Sequence, residues 1–512
     1  MLNQQRFPRL QRLESSIERF LDRDHPDRSF PPATHRRCLL FVLVLFAIQI
    51  SPYWYGPSDG STYLGMARHV FQDEPFAQPG EFNSAAPPGY PLLISPAFLF
   101  GDRPFLAISI LNFLFAGCLL IGVYVWTRKI FPRMALLLTT VSMVNMAVLF
   151  HYRRTLKEVA FMAVAIWIVL LLDHARQGTR RSAVSAAAAA ALLCLAVLIR
   201  FSAILFAAGF GLSILLAAYQ GKLAYRRGII LILLVGVPAS GLLLQIMARQ
   251  HDQQLTHGGP SYQRAFEKAY AKGQDRLVSG STEWASSIGR VMIPGMFKTE
   301  LKSLTDPNLV PYVMVMVIVG VGWCLLIRTG TGDVFALTLP FYVLLHILWP
   351  YNQGGRFAVP LLPILMVCYW VGIRRWFPFP KTSFVLAIIL HAGVGFGYWL
   401  AVDLPHARTA AVHWKQLESV AGSVTEPGLV QSWKNEELTA AMLSVILDRP
   451  LYHTDSETLG ISSHTAWLIL PRSAAVVDGF ECRHADDRWE VWRRIPASLP
   501  PPLTSRPDDE RL

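Results

Sequence analysis

The stretch PFLAISILNFLFAGCLLIGVYVW, residues 104–126, carries no charged side chain from end to end. At a helical rise of about 1.5 Å per residue, roughly 20 apolar residues cross the ~30 Å hydrocarbon layer of a bilayer. Similar runs recur along the 512-residue chain, which is 53% hydrophobic and only 16% charged. A soluble domain has roughly a quarter of its residues charged, so we predict an all-α polytopic membrane protein.

Outward from this run, apolar segments of similar length predict about eleven transmembrane helices. Their ranges are 37–54, 104–126, 134–150, 158–173, 182–199, 201–219, 229–247, 309–327, 333–350, 357–373 and 383–401.

Basic residues cluster in alternate loops, which orients the spans because cytoplasmic loops are enriched in Lys and Arg. Placing the N-terminus in the cytoplasm assigns the most basic loops, such as the one with Arg128, Lys129 and Arg133, to the cytoplasmic side. Residues 55–103 and 248–308 then lie outside, as does the C-terminal tail. We therefore predict a multi-pass protein of the cell inner (plasma) membrane with a large first extracytoplasmic loop.

The chain outside the spans changes character from one end to the other. Residues 1–36 combine arginines with apolar residues at helical spacing, which predicts a basic amphipathic helix on the cytoplasmic surface. In residues 402–496, the helix-like runs VHWKQLESVAGSV and EELTAAMLSVIL precede the strand-like stretches AWLILP and WEVWRRI, which predicts a small extracytoplasmic α/β domain. Residues 497–512 are rich in Pro and charge, and we predict that they are disordered.

The net charge of +12 does not indicate nucleic-acid binding. The basic residues lie in short clusters between apolar runs, without a long basic stripe that has interleaved aromatic residues. The cysteines include no C-x-x-C pair, which is the spacing typical of metal or redox sites. We predict no nucleic-acid partner, no metal site and no cofactor, and we expect membrane lipids among the partners.

Ionisable residues near a membrane are costly, and they therefore indicate functional positions. On the predicted outer side, such residues follow the first and third spans, separate the fifth from the sixth and begin the tenth. They are Asp59, Arg153, Lys157, Glu158, Arg200 and Arg356.

Each of these residues also has a structural interpretation. Asp59 is suited to cap the helix predicted after it, because Asp is favoured at the N-cap. Arg200 and Arg356 lie at span ends, where arginines commonly extend to lipid headgroups. The cations of the RRTLKE segment, however, oppose the positive-inside rule, and an anionic ligand on the outer side would account for them. Capping and catalysis by Asp59 do not exclude each other.

The first outer loop combines an amphipathic helix with a rigid proline-rich segment. Apolar residues from Tyr63 to Phe71 recur at helical spacing, which predicts a helix lying flat in the outer interface. The segment SAAPPGYPLLISPAF then leads back toward the membrane, and its prolines restrict the backbone. We expect Pro87, Pro88 and Tyr90 to shape this loop.

Five short motifs, in this order and spacing, resemble the GT-C superfamily of polytopic glycosyltransferases, especially bacterial members related to protein mannosyltransferases and lipid A aminoarabinose transferases. They are SDGSTYLGMARHVF (58–71), PPGYPLLISP (87–96), RRTLKEVAF (153–161), LIRFSAILF (198–206) and GGRFAVPLLPIL (354–365). The resemblance extends over residues 37–401, which it identifies as a GT-C-like catalytic domain.

The resemblance implies a transferase that takes a sugar from a polyprenyl-phosphate donor on the extracytoplasmic face. The acceptor would be a hydroxyl of a glycan, a lipid or a protein. By position, Asp59 matches the acidic residue of the family's first loop, which is thought to be the general base, and Glu158 matches a second acidic residue. Arg200 and Arg356 match basic positions near the donor phosphate.

The chemistry of such a transfer fits these residue types. Displacing a lipid phosphate from an anomeric carbon needs a base for the acceptor proton and cations for the departing phosphate. Arginine holds phosphate oxygens without requiring a metal, and we add Arg153 and Lys157 as candidate phosphate ligands. A single displacement with Asp59 as base would invert the anomeric centre of the transferred hexose or pentose.

Two other classes of protein fit parts of the pattern. A transporter or flippase for lipid or polysaccharide would predict internal repeats and broken helices near the midplane, and the sequence has no clear repeat. A binding or assembly protein that acts through its soluble tail would leave the outer cations unexplained.

Overall fold

The computed structural model describes residues 32–54, 58–71, 87–101, 103–154, 156–177, 181–257, 267, 271, 274–293, 306, 309–329, 334–349, 354–376, 380–424, 429–433, 451–454, 465–471, 480–485 and 489–494. Within them the chain forms a helical bundle followed by a small sheet. The predicted amphipathic segment and disordered tail lie mostly or wholly outside the described residues, and the predicted domain boundaries stay predictions.

The helices form where the sequence has its apolar runs. They are α1 (Pro32–Ala47), α2 (Ser58–Arg68), α3 (Gly89–Ile94), α4 (Phe105–Ile130), α5 (Ala135–Met143), α6 (Met146–Arg153), α7 (Lys157–Arg176), α8 (Ser182–Ile199), α9 (Leu205–Tyr219), α10 (Tyr225–His257), α11 (Gln274–Met292), α12 (Leu309–Arg328), α13 (Val334–Leu348), α14 (Leu362–Trp376), α15 (Pro380–Tyr398) and α16 (Leu404–Gly422). Short 3₁₀ turns include Phe201–Ile204, between α8 and α9, and Gly354–Phe357, which precedes α14.

Among the described residues, 8 helices are long and apolar enough to cross a membrane, or 9 if the bent pair α5–α6 is one span. The protein is a multi-pass membrane protein, but this count is below the eleven spans predicted. The first and ninth predicted spans coincide with α1 and α13, of 16 and 15 residues. At about 1.5 Å per residue both are shorter than the ~30 Å hydrocarbon layer. In α1 the helix ends at Ala47, although the apolar run continues to Ile50.

Two helices lie at the centre of the bundle. The apolar segment of α7 is 72% buried and the one that includes α14 is 83% buried, whereas those of α10 and α15 are 17% and 12% buried. α7 begins at Lys157 and Glu158. Arg356 lies shortly before α14, separated from it by the 3₁₀ turn Val359–Leu361, so predicted site residues lie near one end of each of these well-packed helices.

Helices α12 and α14 pack with their backbones in contact. Gly322 of α12 faces the Cys368 carbonyl, and Gly372 of α14 faces the Ile318 carbonyl, so closely that a Cβ at either glycine would overlap the facing backbone. Small residues permit this approach between membrane helices. The pair therefore forms one tightly packed unit, and the Gly354–Phe357 turn lies shortly before the first residue of α14.

The C-terminal segment forms a five-stranded mixed sheet in the order β2-β1-β3-β5-β4. Its strands are β1 (Leu429–Trp433), β2 (Leu451–Thr454), β3 (Thr465–Pro471), β4 (Phe480–Ala485) and β5 (Trp489–Arg494). β1 is parallel to β2 and β3, and β5 is antiparallel to β3 and β4. The strand-like stretches AWLILP and WEVWRRI lie in β3 and β5, and VHWKQLESVAGSV lies mainly in α16. The run EELTAAMLSVIL lies outside the described residues.

Helix α16 attaches this segment to the first loop. The Trp414 indole donates a hydrogen bond to the Trp54 carbonyl, and the Trp414 ring packs 5.0 Å from the ring of Phe105. Glu418 forms an ion pair with Arg103. The C-terminal segment therefore contacts the chain just before α2, where Asp59 lies.

Candidate functional site

Glu158 and Arg356 form a buried ion pair at the start of α7. Arg356 donates a hydrogen bond from Nε to the Oε1 atom of Glu158 at 2.9 Å, and its Nη2 atom lies 2.8 Å from the same oxygen. The Glu158 side chain is 1% exposed, and its Oε2 atom is buried without a hydrogen-bond partner in the described residues. The structure thus joins two predicted site residues, one at the start of α7 and one before α14.

Arg200 lies buried at the break between α8 and the Phe201–Ile204 turn. Its residue exposure is 6%, and its guanidinium lies 5.7 Å from the ring centre of Phe161 and 5.0 Å from that of Phe357. The Nη1 atom is buried and has no hydrogen-bond partner among the described residues. Extension to lipid headgroups does not fit this geometry, because the side chain is enclosed by protein.

A cavity of ≈ 50 Å³ is lined in part by Arg200. It has room for several water-sized groups, each of which needs about 10–15 Å³ on this measure. The lining brings together the first loop, the start of α7, the turn after α8 and the end of α13. The residues that line it are Pro87, Lys157, Arg200, Phe201, Ser202, Leu345, His346, Trp349 and Phe357.

The first loop reaches this cavity through a chain of aromatic contacts. The Lys157 ammonium lies 5.4 Å from the ring centre of Tyr63, which packs edge-on against Tyr90 at 5.5 Å. The Tyr90 hydroxyl donates a hydrogen bond of 3.1 Å to the Oδ1 atom of Asn112. Burial raises the pKa of Tyr90 above its ordinary value, against the opposing effect of this hydrogen bond, so the phenol remains a neutral donor.

The apolar face of α2 differs from the prediction. Tyr63, Leu64 and Ala67 are almost wholly buried, at 0–4% exposure, and α2 packs against α3. The helix therefore does not lie flat with this face in the lipid interface. Amphipathicity measures only the presence of an apolar face, and here that face is covered by protein.

Gly89 holds the first loop close to Arg200. A Cβ at this position would lie 2.5–2.8 Å from atoms of Leu198 and Ile199, in the last turn of α8. The loop backbone thus contacts the two residues that precede Arg200, which explains how Pro87 comes to line the cavity. Pro88 is only partly buried.

We predict that Gly89→Ala destabilises the protein by about 1–3 kcal/mol, the usual cost of forcing extra volume into a packed site. Thermal unfolding in detergent would measure the effect. Gly65→Ala is the matched control, because a Cβ at Gly65 meets nothing within 4 Å. Equal behaviour of the two variants would contradict the packing argument.

The backbone of Asp59 lies in the first turn of α2, which begins at Ser58, rather than at the cap position before the helix. Its side chain lies outside the described part of the structure. A Cβ on the neighbouring Gly60 would lie 3.4 Å from the Arg154 carbonyl and 2.8 Å from the Trp54 ring. Asp59 therefore lies in the chain beside the α6–α7 connection, which leads to Glu158.

Arg153 and Arg356 do not line the cavity. Arg153 is partly exposed at the end of α6, and Arg356 binds Glu158. Phosphate binding by these two residues, like the catalytic roles of Asp59 and Glu158, stays a prediction.

Sequence reasoning missed three residues that line the cavity and carry a polar side-chain group: Ser202, His346 and Trp349. The signal for His346 was an ionisable side chain inside a predicted span, in the apolar run LLHILWP. Ser202 is uncharged and gave no comparable signal, although its hydroxyl donates a hydrogen bond to Tyr342 at 3.2 Å.

Comparison with solved structures finds similar membrane glycosyltransferases. The crystal structure of an Archaeoglobus fulgidus oligosaccharyltransferase with zinc and sulfate aligns over 85% of this chain and 68% of its own, at 10% identity and a TM-score of 0.51. ArnT from Cupriavidus metallidurans bound to undecaprenyl phosphate aligns over 91% of this chain and 98% of its own, at 11% identity and a TM-score of 0.48. The arabinofuranosyltransferase AftD from Mycobacteria aligns over 91% and 40%, at 12% identity and a TM-score of 0.45.

The sequence matches no family model and no curated protein. The comparison with the archaeal oligosaccharyltransferase shows a shared fold over 85% of this chain. The archaeal structure contains zinc, but no group of three or more His, Cys, Asp or Glu side chains suited to a metal ion occurs within the described residues of this chain.

Proposed function

We propose that this chain is a GT-C-like membrane glycosyltransferase that takes a sugar from a polyprenyl-phosphate donor and transfers it to an acceptor hydroxyl on the extracytoplasmic face. The observation that carries the proposal is the buried Arg200 guanidinium. Its Nη1 donor has no hydrogen-bond partner in the described structure, and Arg200 and Lys157 line the same cavity. The fold supports the proposal, since a solved oligosaccharyltransferase shares it.

Arg200 and Lys157 bind the donor phosphate. An unsatisfied N–H donor in a buried site is costly, and a phosphate oxygen would satisfy it through a charge-assisted hydrogen bond. The nearby Glu158–Arg356 pair is balanced in charge, so the cavity keeps the positive charge of Arg200 and Lys157. This charge stabilises the phosphate as it leaves the anomeric carbon.

Asp59 accepts the proton of the acceptor hydroxyl while that oxygen bonds to the anomeric carbon. The bond from the anomeric carbon to the phosphate oxygen breaks, and its electron pair stays with the departing polyprenyl phosphate. One such displacement inverts the anomeric centre. Glu158 remains a second candidate carboxylate, because its Oε2 atom has no hydrogen-bond partner in the described structure, and its Oε1 atom positions Arg356.

Arg200→Gln tests the phosphate site. We expect the variant to bind undecaprenyl phosphate at least about tenfold more weakly, because a hydrogen bond to a charged group contributes roughly 1.5–3 kcal/mol. Binding to the purified full-length chain in lipid nanodiscs would measure this. Arg374→Gln is the control, since Arg374 is an exposed cation beside Trp370 and does not line the cavity. Unchanged affinity in the Arg200 variant would refute the assignment.

A transfer assay separates the proposal from the flippase alternative. A transferase incubated with a polyprenyl-phosphate sugar and an envelope extract releases free polyprenyl phosphate. A flippase moves the same lipid between leaflets with no bond cleaved, and this result would overturn the proposal.

A further inference from the structure

The His346 ring has a defined orientation at the cavity. This residue of α13 is 5% exposed, and its Nδ1 atom lies 2.8 Å from the Tyr342 carbonyl oxygen. Because a carbonyl oxygen only accepts hydrogen bonds, Nδ1 must carry a proton. The Nε2 atom on the other side of the ring is buried and has no hydrogen-bond partner in the described structure.

Aromatic side chains fix this orientation. The His346 ring stacks on Tyr342 at 4.5 Å, meets Phe357 edge-on at 3.9 Å and packs 5.7 Å from Trp284. A second proton would place a positive charge among these rings, in the cavity that Arg200 also lines, and burying such a charge is costly. Nε2 therefore presents a lone pair, which is a hydrogen-bond acceptor.

Arg200 and His346 both line the cavity. Within the described structure, the Nη1 donor of Arg200 and the Nε2 acceptor of His346 are both buried without a hydrogen-bond partner. A sugar–phosphate–polyprenyl donor contains a phosphodiester, which has no proton at neutral pH. Its oxygens satisfy the Arg200 donor but have nothing to give to His346. The acceptor needs an O–H group, and in such a lipid the sugar next to the phosphate supplies one.

We propose that His346 accepts, at Nε2, a hydrogen bond from a hydroxyl of the donor sugar and thereby helps to select the sugar. This inference rests on the proposed function, because it places the phosphate beside Arg200. A site built to bond a substrate hydroxyl discriminates strongly against analogues that lack it, since the buried acceptor is then left unpaired.

The test compares undecaprenyl phosphate with undecaprenyl phosphate that carries glucose, mannose, galactose or arabinose. Binding of each lipid is measured to the full-length chain in nanodiscs. We expect at least one sugar lipid to bind more tightly to the wild-type protein than the bare phosphate lipid does. The ratio of the two affinities reports the sugar contacts alone.

Two variants separate the ring nitrogens. His346→Asn retains a donor near the position of Nδ1 but removes Nε2. We therefore expect the ratio of sugar-lipid affinity to phosphate-lipid affinity to fall about tenfold. The affinity for undecaprenyl phosphate itself should stay within about twofold of wild type. His346→Gln places an amide near Nε2 and is expected to restore part of the ratio. His391→Asn is the matched control: His391 is also 5% exposed but does not line the cavity.

The outcomes distinguish the two proposals. If undecaprenyl phosphate does not bind the wild-type protein, the proposed function fails. If it binds but no sugar lipid binds more tightly, or if His346→Asn leaves the ratio unchanged, only the His346 inference fails, and a water molecule is the partner of Nε2. An equal loss for both lipids would likewise overturn it. Deoxy sugar lipids would identify the contacted hydroxyl. The analogue that lacks this hydroxyl should have the same affinity for the wild-type protein as for His346→Asn.

Discussion

Asp59→Asn is expected to slow sugar transfer about 10²–10⁴-fold, the usual contribution of a positioned general base. The amide has the shape of the carboxylate but cannot accept the proton of the acceptor hydroxyl. Asp59 lies in the first turn of α2, next to Gly60, which packs against the connection that leads to Lys157 and Glu158. A base here would act beside the phosphate site without contributing to donor affinity.

The measurement is single-turnover release of polyprenyl phosphate, together with binding of undecaprenyl phosphate to the same preparation. Loss of turnover with unchanged lipid binding would support the base assignment. Glu418→Gln is the control, because Glu418 is an exposed carboxylate of α16 that pairs with Arg103. Turnover by Asp59→Asn at the wild-type rate would rule out proton transfer to Asp59.

Arg356→Met is expected to lower the free energy of unfolding by about 3–5 kcal/mol, because it leaves a buried carboxylate without its partner. Glu158 is almost wholly buried, and both the Nε hydrogen bond and the Nη2 contact from Arg356 fall on its Oε1 atom. Equilibrium unfolding in mixed micelles would measure the loss. Arg374→Met, on the exposed end of α14, is expected to change stability by no more than about 0.5 kcal/mol.

The double variant Glu158→Gln with Arg356→Met distinguishes two causes of destabilisation: loss of the attraction between the two side chains, and burial of the Glu158 carboxylate without a counter-charge. Since the variant has neither charge, we expect it to recover most of the stability lost in Arg356→Met, although sugar transfer should not recover. A loss of less than about 1 kcal/mol in Arg356→Met would mean that the pair behaves like a solvent-exposed salt bridge.

Part of the site was predictable from sequence because placing a charged side chain near a membrane costs free energy, so such residues indicate functional positions. This criterion singled out Glu158, Arg200 and Arg356, which the structure gathers at one end of the bundle. It did not predict which groups pair. Glu158 and Arg356 are 198 residues apart in the chain, and their contact depends on how α7 packs against the segment that leads into α14.

A periodic sequence pattern shows that a helix has an apolar face, but it does not show whether lipid or protein packs against that face. The apolar face of α2 fits lipid and protein equally well, and only the fold assigns it to Tyr90 and its neighbours. Hydropathy likewise detects apolar runs rather than helix ends, so it overestimated the lengths of α1 and α13. His346 was detectable as a polar group in an apolar run, but its role depends on the rings around it.

The backbone contact between α12 and α14 has a mechanical consequence. Helices that touch at Gly322 and Gly372 cannot slide past one another without a clash. This packing therefore restricts movement of the turn that contains Phe357. Pro87 of the first loop also lines the cavity, and Gly89 packs that loop closely against the end of α8. Widening the cavity would therefore require the first loop to move, and the approach of that loop to α8 depends on a residue without a side chain.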